Sequence, residues 1–139
     1  MLKHPAPREL INAFHLMWDN FPEPVGLVHK SREVAAVNKG HFYKPGDVCA
    51  RSGHNGPHAG CLANQALSEK KAVAVARRNP AEEKDVITYW LPFDGYPDYF
   101  IHFSIRIAID YENRQFTLSP ITDEARENYS YLWDDETKA

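Results

Sequence analysis

The sequence predicts one α+β domain built around an antiparallel sheet, and three observations carry that prediction. The chain has 139 residues, 43% hydrophobic and 25% charged, which suits a single globular core. Near its start, Leu10, Ile11, Phe14, Met17, Trp18 and Phe21 recur at three- and four-residue steps, the period of a helix with one apolar stripe. Near its end, Tyr99, Ile101, Phe103, Ile105, Ile107 and Ile109 alternate with Phe100, His102, Ser104, Arg106 and Ala108, the period of a strand.

The first helix is expected over residues 7–21, with Pro7 in its first turn and Pro22 and Pro24 ending it, because proline suits a helix start and pushes the residue before it out of helical geometry. A core follows over 24–110. It begins with a hairpin, Pro24–His29 and Val34–Asn38, joined by the polar turn Lys30–Glu33. A second helix is expected from about Ala59 to Lys70, with Leu62, Ala63, Ala66 and Leu67 on one side. Strands follow at Ala72–Ala76, at the β-branched and aromatic run Val86–Leu91, and at Tyr99–Ile109, with Arg77–Asp85 as a polar connection and Asp94-Gly95 as a turn. On the last strand the isoleucine face is expected to be core, and the His102 and Arg106 face to be only partly covered. Gln115–Leu118 is a short strand or an extended connector. Residues 123–134 read as a C-terminal helix, with acids at its start and Tyr129, Leu132 and Trp133 as its stripe.

Charge and composition exclude several classes. Residues 123–139 carry 6 of the 19 acidic residues and only 2 of the 16 basic ones, so the body is nearly neutral and the end acidic. No basic stripe suits nucleic acid. No apolar run approaches the ~20 residues of a membrane helix, and the first residues lack the apolar core of a signal peptide. A cytoplasmic protein is expected, in which two cysteines act as thiols, ligands or redox groups rather than as a structural disulfide.

Both cysteines lie in one loop. Cys49, His54, His58 and Cys61 are spaced C-x4-H-x3-H-x2-C among glycines and a proline. Thiolate and imidazole ligands suit zinc or iron, and two of each complete a neutral tetrahedral Zn²⁺ shell. The crowding of four ligands into one loop matches no standard zinc pattern. Two other readings stay open. Cys61, in the first turn of the second helix, can be a redox thiol with Cys49 as its resolving partner. Alternatively, the cysteines are small buried hydrophobes and the histidines solvated. His41 and Tyr43 precede the loop and, with Tyr89 and Cys49, are candidates to line a cavity between sheet and helices. His102 shares a strand face with Arg106 and is a candidate to bind an anion or meet a partner. No serine elbow, phosphate loop or His-Glu-x-x-His occurs.

The order of helix, hairpin, loop, helix and three-stranded meander resembles the PAS domain family over residues 10–110. Asp19–Val28 is similar to the family's entry into its first strand, and Val37-Asn38-Lys39 to the end of its second. Gly46, Cys49, Pro57-His58-Ala59-Gly60-Cys61 and Ala66-Leu67-Ser68-Glu69-Lys70 resemble a subset of bacterial PAS sensors, with His58 where that subset often has cysteine. The resemblance implies a five-stranded antiparallel sheet with helices on one face, and a sensory or interaction role rather than an enzyme. It allows haem or flavin in a cavity, although no diagnostic axial-ligand pattern is present. No kinase, cyclase or DNA-binding output follows, so the expected partner is a second copy or a signalling protein. The expected mechanism is ordering of the 49–61 loop by metal, thiol oxidation or a small ligand. The rival classes are a small cavity enzyme or thiol oxidoreductase using Cys61, and a dimerisation domain without a ligand.

Overall fold

The computed structural model describes residues 2–39, 44–49, 61–79, 84–110, 112 and 115–118. The elements run α1 (Arg8–Trp18), β1 (Val25–His29), β2 (Val34–Val37), α2 (Ala63–Glu69), β3 (Val73–Asn79), β4 (Lys84–Phe93), β5 (Tyr96–Asp110) and β6 (Gln115–Leu118). The C-terminal helix expected over 123–134 lies outside the described residues.

All pairings are antiparallel, and five strands form the path β2-β1-β5-β4-β3. β5 is central because it is long enough to serve three partners. β4 runs along one edge from Asp85↔Ile107 to Phe93↔Tyr96. The other edge takes β1 at Tyr99–Phe103 and β6 at Ile107–Asp110. Gly95, at φ +82, turns β4 into β5, a conformation that glycine adopts without a Cβ clash. β3 and β4 are longer than the residue pattern predicts. Arg77, Arg78 and Asn79 pair with Val86, Asp85 and Lys84, so most of the expected connection is ladder. Backbone pairing continues through polar residues where a strand end needs no apolar cover.

α1 starts from Pro7, whose carbonyl accepts the N–H groups of Leu10 and Ile11; Pro7 is thus the N-cap and not a helical residue. Leu10 and Phe14 are buried, but Met17, on the expected stripe, is 71% exposed. The helix stops at Trp18, short of the predicted Phe21. Asn38 braces the helix exit: its amide donates to the carbonyls of Trp18, Phe21 and Glu23, while its Oδ1 accepts Val25 N–H. Pro22 has no N–H to offer the Trp18 carbonyl, and the Asn38 side chain satisfies that carbonyl and those of Phe21 and Glu23. α2 is also shorter than predicted. Cys61 lies before its N-cap Leu62, outside the first helical turn.

α1 and α2 cover opposite faces of the sheet. On one face Leu10 and Phe14 pack with Val25, Leu27, Ile101 and Phe103. On the other, Ala63 and Ala66 pack with Val28, Cys49, Trp90 and Phe100. The alanines let α2 lie close on the sheet, and each large side chain buried there contributes about 1.5–3 kcal/mol. Among the described residues, no helix is long and apolar enough to cross a membrane.

Candidate functional site

Alternation sends Val86, Thr88 and Trp90 of β4, with Phe100, His102, Ser104 and Arg106 of β5, to the face that α2 packs on. The register aligns Val86 with Arg106, Thr88 with Ser104 and Trp90 with His102. This is the face expected to be partly covered, and the structure reverses that expectation. Phe100, His102, Ser104 and Arg106 are 1%, 8%, 3% and 1% exposed, while Ile105 and Ile107 on the opposite face are only half-buried. Period-two alternation shows which residues share a face, but burial depends on what packs over them.

The row is polar at its centre. The hydroxyls of Thr88 and Ser104 hydrogen-bond at 2.9 Å. His102 stacks on Trp90, with ring centroids 5.2 Å apart and planes 24° from parallel. His102 Nδ1 lies 3.2 Å from the Tyr89 carbonyl; a carbonyl only accepts, so Nδ1 carries a proton. Arg106 Nη1 sits 3.6 Å from Glu23 Oε2, an ion pair between side chains 1% and 6% exposed but longer than a hydrogen bond. Trp90 Nε1 is buried without a hydrogen-bond partner. Buried polar groups cost free energy unless satisfied, and Thr88, Ser104, His102 and Arg106 all find partners within the chain.

A second polar group lies where the β1–β2 turn meets α2. Arg32, at φ +79, is buried. Its Nη1 donates to the Lys30 carbonyl and its Nη2 to Asn64 Oδ1, and its guanidinium lies 5.7 Å from the Phe100 ring centroid. Its own carbonyl accepts Cys49 N–H. Residues 44–49 thereby run beside β2, with Gly46 N–H donating to Val34 and Val34 N–H to Asp47.

Cys49 and Cys61 meet in the α2 cluster, and both are free thiols. Burial, reinforced by Cys61, pushes the Cys49 thiol up to about 12 despite the opposing pull of Arg32. Cys49 is therefore protonated at neutral pH and must lose that proton before it can ligate a metal or attack a disulfide. Cys61 lacks the helix-terminus position expected to activate it.

Of the other sequence-predicted residues, His41, Tyr43, His54 and His58 lie outside the described residues. Among the described residues, no three His, Cys, Asp or Glu side chains gather as a metal site. Tyr89 and His102 fall on opposite faces. Tyr89 stacks on Phe103 at 5.1 Å on the α1 side, so the two do not converge. Sequence reasoning passed over Trp90, Thr88, Ser104, Glu23, Arg32 and Asn64. The alternation Val86, Thr88, Trp90 put two of these positions on one face of β4, but it could not show that β5 laid a polar row beside them.

No protein-family model matches the chain, and no curated protein matches it.

Proposed function

We propose that this protein is a PAS-like sensory or regulatory binding module whose signal is a small molecule held against the α2 face of the sheet, beneath the 49–61 loop. The observation that carries this reading is the buried row Trp90, His102, Thr88, Ser104 and Arg106. It sets a hydrogen-bond donor, an imidazole, hydroxyls and a charge among apolar neighbours, the mixture that ligand sites use to fix orientation. The five antiparallel strands fit the family resemblance. Ligand binding would order the loop and α2, which rests on Trp90 and Phe100, and would pass the change to a signalling protein or a second copy.

The test is to purify untagged protein under reducing conditions, denature it, and identify released small molecules by mass spectrometry, with the metal content and visible spectrum recorded alongside. The expected result is one organic molecule per chain, lost in Ser104→Leu, which fills the row with apolar bulk. A folded protein that releases nothing, and whose melting temperature is unmoved by a deproteinised extract of the expression host, overturns the reading. One equivalent of zinc or iron would instead return the site to the Cys49–Cys61 loop.

A further inference from the structure

Arg32 is a buried cation whose charge no carboxylate in the described structure balances. Arg32 as a whole is 7% exposed. Its polar partners are both neutral, the Lys30 carbonyl and the Asn64 amide oxygen, and the Phe100 ring adds only a weak cation–π contact. Its Nε–H is buried and has no partner. The adjacent acid in the chain does not serve it: both carboxylate oxygens of Glu33 are taken by the N–H groups of Lys3 and His4. Buried charges are ordinarily paired, because removing an ion from water costs several kcal/mol.

The site is also rigid. Arg32 holds a left-handed backbone that costs a side-chain-bearing residue about 1–2 kcal/mol. Its N–H donates to the His29 carbonyl and its carbonyl accepts Cys49 N–H, so the turn is tied to two segments. Asn64, in the first turn of α2, holds the far side of the guanidinium at 3.2 Å. The fork is therefore fixed in place, with Nε–H as its unused prong.

We infer that Arg32, with Asn64 beside it, forms an anion-binding site for a small oxyanion carrying a carboxylate or phosphate group. Two acceptor oxygens match the Nε–H and Nη–H edge of a guanidinium, and the anion supplies the missing negative charge. This site is distinct from the Ser104 row and stands whether or not that row holds a ligand.

The experiment follows the Arg32 Nε–H resonance in ¹⁵N-labelled protein during titration with sodium phosphate and, separately, sodium acetate, at constant ionic strength set with chloride. A saturable shift with one or both anions is expected, and the stronger responder identifies the oxyanion. Asn64→Asp places a carboxylate on Nη2. It should raise the melting temperature of the ligand-free protein and weaken anion binding at least about tenfold, the loss of one charged hydrogen bond. Arg32→Lys, which lacks that resonance, should fold and lose the rise in melting temperature that the responding anion gives the parent protein. Ser104→Leu should leave it intact, which separates this site from the sheet face. A resonance that stays fixed with both anions, or moves equally with chloride, overturns the inference.

Discussion

Glu33 Oε1 accepts the backbone N–H of His4 at 2.6 Å, and the same carboxylate takes Lys3 N–H at 2.9 Å. His4 in turn stacks on His29, with centroids 4.0 Å apart and planes 4° from parallel. Tyr99 Oη donates to the His4 and Pro5 carbonyls from β5. The first residues are thereby latched across the β1–β2 turn.

Acid should open this latch in two steps. His29 lies below its ordinary 6.5, first through burial and then through His4. Burial would raise the Glu33 carboxyl, but the Lys3 and His4 N–H groups, with the His4 and His29 rings behind them, hold it below 4.5. A histidine held low makes the folded state bind fewer protons, so its contribution is complete above pH 6.5 and falls as pH drops toward its folded value. The carboxylate's contribution is complete above 4.5 and falls through its own lowered value. Hydrogen-exchange protection at Lys3 and His4, corrected for intrinsic pH dependence, should decline below neutrality and again in the acid range. Glu33→Gln should remove the acid-range step and cost about 1.5–3 kcal/mol, read from denaturant unfolding.

Asn38→Ala should be among the most destabilising substitutions, at about 2–4 kcal/mol. It deletes four hydrogen bonds and strands buried backbone groups at the end of α1 and the start of β1. Asn38→Asp should be no better, because it replaces an amide donor facing three carbonyls with an acceptor. Chemical denaturation of both variants checks this, and an Asp variant as stable as the parent would contradict the assigned network.

Glu23→Gln should destabilise by about 1–3 kcal/mol, by removing the carboxylate 3.6 Å from the buried Arg106 guanidinium. Arg106→Met should destabilise as well, by removing the cation beside Glu23. The double variant should be less damaged than the sum of the two, and the cycle isolates the pair.

Lys70 caps α2 in the left-handed region at φ +54. Lys70→Gly should stabilise by about 0.5–1 kcal/mol, because glycine adopts that conformation without strain. A lower melting temperature would mean that the lysine side chain contributes a contact of its own.

Much of the architecture was legible because local periodicity reports it directly. The Leu10–Trp18 stripe located α1, the hairpin residues marked β1 and β2, and the alternation through Ile109 located β5. Boundaries were less legible where distant residues set them. Asn38 binds the last carbonyl of α1 from 20 residues away, and Arg77–Asn79 became strand because β4 pairs with them. At the site, the Cys49–Cys61 loop drew attention by its composition, whereas Arg32 stood in a turn that reads as solvated.

By itself, then, the sequence determined the α+β class, most of the helix and strand positions, and which side chains of β5 share a face. These follow from chain geometry repeated over neighbouring residues. Only the tertiary structure decided that the His102 and Arg106 face is the more deeply buried one, that Glu33 holds the N-terminal segment, and that Arg32 meets Asn64. Each depends on which distant segment packs against a residue, and the free energy of a buried charge or donor is set by that neighbour rather than by residue type.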